Sequence, residues 1–284
     1  MPYEQHERFI TPENQDSPIW RYMSFTKLIA LLTDNALYFA RADKLAAMDA
    51  FEGRYTHVNA AILNANWDMA PPEFWAEKNI HSEDELKRFI EIQKMSFGNT
   101  ASLMREINFI NCWHMGEDES DAMWKLYSAT QDGVCIQSTF RAFADSFTDT
   151  EDPVYIGKVQ YLDYTKDAID EGMVFAPFLS KRRAFRHEQE LRAIIWRMKD
   201  TGHAYFHRDG SPATAEDYQN AQFINKYPDR YGLKVPVDVS RLISVVYVSP
   251  GSAKWFKDLV QLLINKLGYE FEIRESNLAA APPV

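Results

Sequence analysis

The sequence is poor in the features that mark several common kinds of protein. Its 284 residues include two cysteines, Cys112 and Cys135, in apolar surroundings and without Cys-x-x-Cys spacing. This argues against a disulfide scaffold or a structural zinc site and fits a reducing cytoplasm. No stretch approaches the roughly 18 consecutive apolar residues of a membrane span. The opening MPYEQHERFITPENQ carries neither a basic leader nor an apolar h-region, so a soluble cytoplasmic protein without membrane contact is expected. Positive charge is in deficit: 31 Lys and Arg against 41 Asp and Glu leave a net charge of -10. The chain therefore lacks the footprint of a duplex DNA binder, and any nucleic-acid contact needs a local basic patch. Gly-x-Gly-x-x-Gly, P-loop and Gly-x-Ser-x-Gly signatures are missing, which leaves dinucleotide-fold, kinase and hydrolase readings without a motif. A Gly/Ser-rich or Pro-rich linker and an internal repeat are missing too, so one elaborated domain over residues 20–277 is expected. Residues 1–19 are expected as an N-terminal extension and residues 278–284 as a flexible tail.

What is present is the composition of an ordinary folded chain, with 46% apolar, 14% aromatic and 25% charged residues. Trp20-Arg21-Tyr22 reads as a strand and Ser24 as an N-cap. Residues 25–32 read as a helix with Phe25, Leu28, Ile29 and Leu32 on one face. Asp34-Asn35 turns the chain into a strand over 37–40, and residues 43–53 are expected as an exposed loop. Helical residues follow over 55–66. Ser82 with Glu85 has the form of a capping box, leading an amphipathic helix to about residue 95, so that 55–105 reads as a helical insertion. Strands are expected over 107–113, 134–139, 154–162, 191–196 and 242–248, all rich in β-branched and aromatic residues. An acidic stretch, 117–121, precedes a helix through Trp124 and Tyr127. A closing helix presents Trp255, Phe256, Leu259, Val260, Leu263 and Leu267 on one face, stops at Gly268 and returns as a strand over 269–273. The pattern predicts an α+β fold: a mixed, largely antiparallel sheet with packed helices.

Three blocks carry a resemblance. The first is Trp20-Arg21-Tyr22-Met23-Ser24, then Leu37 to Leu45 and the ending Phe51-Glu52-Gly53. The second is Asn111-Cys112-Trp113, then Met123-Trp124-Lys125-Leu126-Tyr127 and Gly133-Val134-Cys135-Ile136. The third joins Lys181 and Phe185-Arg186-His187-Glu188-Gln189-Glu190-Leu191-Arg192 to the strand ending at Pro250 and the closing helix. In this order, over roughly 20–277, the chain resembles a bacterial family known as domain of unknown function 2971. It departs from that family at Asp49-Ala50-Phe51-Glu52-Gly53, where the family commonly reads Asp-Pro-Phe-Glu-Gly. The opening strand with Arg21, short helix and second strand, followed by Tyr127-Ser128 and then Glu188-Gln189-Glu190, also resembles the ADP-ribosyltransferase superfamily. That resemblance implies an ADP-ribosyltransferase-like core and NAD as substrate, with toxin or phage-defence biology as its setting.

Glu188 and Glu190, at i and i+2 on entry to a strand, would place both carboxylates and the guanidinium of Arg192 on one face. A strand starting at Leu191 would leave the acids on a turn. Breaking the nicotinamide–ribose bond builds positive charge on the ribose, which an ionised carboxylate stabilises where it develops. Glu190 is the candidate for that part, and Glu188 the candidate to orient or deprotonate the acceptor, protein or nucleic acid. Arg21 and Arg192 are candidates to hold phosphate or ribose oxygens, and Tyr38 or Tyr127 to stack on the nicotinamide. No metal is expected.

Blander readings stand beside these. Glu188 and Glu190 could be a solvated strand edge paired with Lys181, Arg186 and Arg192. Arg21 could be a structural ion pair, and Trp124 and Tyr127 core anchors. Asp49 and Glu52 could face a ligand or hold their own loop. The run Lys181-Arg182-Arg183-Ala184-Phe185-Arg186 could meet phosphates or cap a helix end. His203 and His207 suit zinc only on a helix, and Cys112 with His114 lacks a third catalytic member. The leading expectation is an NAD-consuming ADP-ribosyltransferase-like protein. The competitors are a non-catalytic nucleotide- or protein-binding module and a nuclease or RNA-binding effector.

Overall fold

A computed structural model describes residues 2–68, 80–127, 132–170, 172–203 and 223–279. Among these, nine strands form one mixed, largely antiparallel sheet. They are β1 (Pro18–Ser24), β2 (Ala36–Arg41), β3 (Asn108–Met115), β4 (Gly133–Thr139), β5 (Tyr155–Lys158), β8 (Glu190–Trp196), β11 (Gly232–Pro236), β12 (Val245–Val248) and β13 (Glu272–Glu275). The spatial order is β11-β2-β3-β1-β4-β12-β13, with β8 and then β5 branching from β3. Only β12 and β13 run parallel within it. Two small pairs lie outside: β6 (Gln160–Leu162) with β7 (Ser180–Arg182), and β9 (Thr201–His203) with β10 (Phe223–Asn225). With its helices this is the expected α+β fold. No described helix is long and apolar enough to cross a membrane.

One face of the sheet carries the largest core. Helix α1 (Phe25–Asp34) contributes Leu28, Leu31 and Leu32, and Asn35 ends it with φ 49°, a left-handed conformation that asparagine tolerates. Two more apolar helices follow: the closing helix Lys254–Lys266, which contributes Phe256, Val260 and Ile264, and Phe140–Ser146, which contributes Phe143. The opposite face is divided. Met123 and Trp124 of helix Asp121–Tyr127 cover Trp20, Tyr22, Cys135, Val245 and Tyr247. Residues 164–179 supply a separate cluster around Ile110, Phe178 and Ile194.

Several boundaries differ from expectation for identifiable reasons. The capping box at Ser82 and Glu85 forms, but its helix runs through Ile107 rather than stopping near 95, because Leu103 and Ile107 are anchored in the core. The expected strand 154–162 divides at Val159, one part joining the large sheet and the other the small pair. Strand β12 starts at Val245, since Asp238 caps a helical turn at Val239–Leu242. The return after Gly268 forms its strand at Glu272–Glu275. On the closing helix the buried stripe is Phe256, Val260 and Ile264, while Trp255 is 61% exposed. The N-terminal residues lie against the domain: Tyr3 bridges Val154, and Phe9 is buried beside Tyr155 and Phe175.

Phe143 is fully buried, its ring 4.8 Å from Trp113 and 5.2 Å from Phe147 between centroids. Phe143→Ala is expected to cost about 3–5 kcal/mol, read as a lowered urea midpoint at unchanged m-value. A loss below about 1 kcal/mol would show that the site collapses around the deletion.

Candidate functional site

The sheet forks at β3. One edge of β3 pairs with β8 without interruption, from Asn108 opposite Trp196 to His114 opposite Glu190. The other edge is shared: Phe109 and Ile110 pair with Arg41 and Ala40 of β2, whereas His114 and Met115 pair with Trp20 and Ile19 of β1. Between these contacts, Asn111, Cys112 and Trp113 have no strand beside them. Asn111 spans the gap, its Nδ2 donating to the Tyr38 carbonyl at 2.9 Å while its Oδ1 accepts from the Trp113 indole at 2.8 Å. The fork opens into a cavity of about 470 Å³. Its lining draws on all three apolar clusters, through Leu31, Leu37 and Trp113, Ile110 and Leu45, and Tyr22, Met123 and Tyr127.

Arg21, Tyr38, Tyr127, Glu190 and Arg192 all line this cavity. Arg21 leaves β1 on the side opposite Trp20 and Tyr22, and its half-buried guanidinium lies 5.9 Å from the Trp113 ring centroid. Among the described residues it has no ion pair or hydrogen-bond partner. Burial pushes its pKa down to about 10, which still leaves it a cation at neutral pH. Tyr38 is half exposed at the rim and packs so closely on Gly232 that a Cβ there would lie 2.2 Å from the ring. Tyr127 is held protonated, burial and the Glu188 charge both pushing its phenol up.

The opposite wall is a buried ionic chain. Strand β8 begins at Glu190, and Gln189 turns in the left-handed region with φ 38°. Glu188 therefore ends a 3-10 turn (Arg183–Glu188) instead of extending the strand. The two acids reach a common partner all the same: Lys181 Nζ donates to Glu188 and, at 3.3 Å, to Glu190 Oε1. Arg192 donates from Nε to Glu190 Oε2 at 2.6 Å. Its Nη1 donates to Glu52 at 2.5 Å and to the Phe178 carbonyl at 2.7 Å, and its Nη2 to Glu52 at 3.1 Å. Arg192 is 1% exposed and its donors are engaged by protein. The edge is thus paired with Lys181 and Arg192, and it is buried rather than solvated.

Three carboxylates and two cations leave one surplus negative charge when all are ionised, and the surplus falls on Glu188. Burial and the adjacent Glu190 raise its pKa to about 7. Burial also opposes ionisation of Glu190, but Arg192 and Lys181 outweigh it and hold that carboxylate well below its usual range. His114 sits across the strand pair from Glu190, and its Nδ1 is 2.7 Å from the Glu188 carbonyl oxygen. Burial pushes the Cys112 thiol up to about 12, so it is no nucleophile at neutral pH.

The exposed loop expected over 43–53 is instead folded inward. Ala42–Leu45 forms a helical turn, Asp49 and Glu52 are buried, and Asp49 takes Arg182 at 2.6 Å. Apolar packing of Phe51 against Tyr164 and beneath Arg182 outweighs the polar composition of this segment. Gly53 makes the turn with φ 64°, and a Cβ there would lie 2.7 Å from the Phe178 ring. The basic run is largely neutralised, Lys181 by the two glutamates, Arg182 by Asp49 and Arg183 by Asp167. Among the described residues no group of three or more His, Cys, Asp or Glu is placed to hold a metal ion. Ser128, His207 and the side chain of His203 lie outside the described residues. Sequence reasoning did not select Asn111, it set His114 aside for want of a third catalytic member, and it left Glu52 undecided. All three fall in or beside a block carrying the family resemblance.

Two outcomes are expected from this geometry. Glu52→Gln leaves Arg192 short of a counter-charge and should cost about 3–5 kcal/mol in urea unfolding. A loss under about 1 kcal/mol would mean that the pair does not hold the loop. Glu188 has a raised folded pKa, so its contribution to stability is present below its unfolded value of 4.5 and lost as pH rises through about 7. Wild type should therefore lose stability relative to Glu188→Gln between pH 5 and pH 8, and a constant difference would contradict the shift.

Compared with known proteins, the chain matches no family model, no curated protein and no solved structure.

Proposed function

We propose that the cavity binds a dinucleotide of the NAD class and that the protein breaks its nicotinamide–ribose bond, as an ADP-ribosyltransferase or NAD glycohydrolase. On this reading the resemblance to domain of unknown function 2971 marks family membership, and the fork belongs to an ADP-ribosyltransferase-like core. The observation that carries the proposal is that Arg21, a cation without an ion pair among the described residues, and the carboxylate of Glu190 line one cavity. A diphosphate on Arg21 would answer the missing counter-charge. The surplus negative charge of the ionic chain suits a cationic nicotinamide ring, with Tyr127 and Trp113 in the same walls to stack on it.

In the reaction the C1′–N bond breaks and its electron pair leaves with nicotinamide. Glu190, ionised by its cations, stabilises the positive charge that develops on the ribose. Glu188, committed to Lys181, orients that lysine and through it Glu190. Water or an acceptor hydroxyl then bonds to C1′. Free thiols at Cys112 and Cys135 fit action in a reducing bacterial cytoplasm, in toxin or phage-defence biology.

A second reading, a binding module without chemistry, is favoured by one observation: both oxygens of Glu190 are taken, by Lys181 and by Arg192. The nuclease reading has less support, because Glu52, Glu188 and Glu190 are countered by cations rather than clustered for Mg2+.

Labelled NAD+ separates these readings. Wild type should release nicotinamide, and Arg21→Ala should weaken NAD+ binding about tenfold or more. Glu190→Gln should bind but release about 10²–10³ times more slowly. Binding without release by wild type would establish the binding module, and the absence of both would end the dinucleotide reading.

A further inference from the structure

We propose that His114 is the group that accepts the proton of the attacking hydroxyl, through the Nε2 lone pair of an imidazole that lines the cavity in register with Glu190. The assignment rests on the dinucleotide reading above and adds to it a residue for the one proton that the reaction releases.

The tautomer follows from the partner. A carbonyl oxygen only accepts, so the 2.7 Å contact between His114 Nδ1 and the Glu188 oxygen places the hydrogen on Nδ1 and the lone pair on Nε2. Nε2 has no hydrogen-bond partner among the described residues. The residue beside it is Gly116, where a Cβ would come within 3.1 Å of Nε2, so that any larger residue there would crowd the ring. The imidazole is itself 5% exposed and lines the cavity. Its strand register sets it opposite Glu190, the carboxylate assigned to the ribose.

The alternatives in the cavity are otherwise engaged. Glu188 is bound to Lys181, Glu190 holds two cations, the Cys112 thiol is protonated, and the Tyr127 phenol is held protonated by burial. As nicotinamide departs with the bonding pair, the hydroxyl oxygen bonds to C1′ and its proton moves to Nε2. The resulting imidazolium keeps its Nδ1–H on the Glu188 carbonyl and returns the extra proton to solvent.

The charged and titratable groups around the ring are His187 and Glu188 from the turn, Glu190 and Arg192 from β8, and Lys181 from β7. Cys112 on its own strand, Tyr22 from β1 and Tyr127 from helix Asp121–Tyr127 join them among the described residues. Burial lowers the His114 pKa below its usual 6.5, His187 adds to this, and the bond to Glu188 opposes it. The ring is therefore neutral at pH 7, and a rate that depends on its lone pair falls on the acid side only below that value.

The test combines nitrogen NMR of the His114 ring in wild type with nicotinamide release by His114→Asn, whose amide can still donate to the Glu188 carbonyl but offers nothing at Nε2. Expected are an Nδ1–H ring, NAD+ binding by the variant within about threefold of wild type, and release slowed about a hundredfold or more. The acid limb below pH 6.5 should disappear with the variant. An Nε2–H ring overturns the assignment whether or not the variant folds. Release by the variant within about threefold of wild type, with the same acid limb, also overturns it and leaves His114 as a brace for the turn while the dinucleotide reading stands. Wild type that neither binds NAD+ nor releases nicotinamide overturns both together.

Discussion

The guanidinium of Arg192 is the point on which this structure depends. It is 1% exposed and bonded to Glu190 on its own strand, to the Phe178 carbonyl 14 residues away and to Glu52 140 residues away, so it ties β8 to two other segments of the chain. A charge so deeply buried is tolerated only where its donors are satisfied, because desolvation costs several kcal/mol per ion. The consequence is a chain of obligations: the loop over 43–53 turns inward to bring Glu52, Gly53 takes a left-handed conformation to allow it, and Lys181 enters from β7 to share Glu190. These side chains form one wall of the cavity.

The other wall follows from how the sheet is built. β1 and β2 both need β3 as neighbour, and each takes only two residue pairs of it. Helix α1 between them packs Leu28, Leu31 and Leu32 into the main core, so the two strands diverge over an apolar support. Asn111 replaces the missing ladder contacts with its side-chain amide, which satisfies polar groups where no strand can. A cavity in the middle of a sheet is therefore reached by residues of both faces, which is why Trp113 and Arg21 meet Cys112, His114 and Glu190 there.

Electrostatically the two walls are unequal. The ionic chain satisfies its own members and retains one surplus negative charge, which Glu188 can neutralise by taking a proton at a pH near 7. Arg21 keeps its positive charge with no ion pair or hydrogen-bond partner among the described residues, beside the Trp113 ring. A ligand carrying an anionic group at one end and a cationic ring at the other complements that distribution better than one of uniform sign. The cations of the chain keep Glu190 ionised and burial keeps His114 neutral, the states needed for stabilising a developing cation and for accepting a proton.

Much of the fold was legible from local pattern. Apolar periodicity and capping residues located β1, α1, β2 and the capping box at Ser82, because these signals lie within a few residues of the structure that they specify. The exposed Trp255 and the extension of helix Glu83–Ile107 were not legible, since neighbours elsewhere in the chain decide which apolar residues are covered. The site divides in the same way. By itself the sequence determined that Glu190 and Arg192 share a face, through the two-residue period of a strand, and that Arg21 opens a strand-helix-strand unit. Only the tertiary structure decided that Glu52, 140 residues from Arg192, would be its counter-ion, that Arg21 would face the same cavity without an ion pair among the described residues, and that His114 would lie opposite Glu190. Contacts across such separations leave no periodic trace in the chain; they arise from strand register and from the need of a buried charge for a partner.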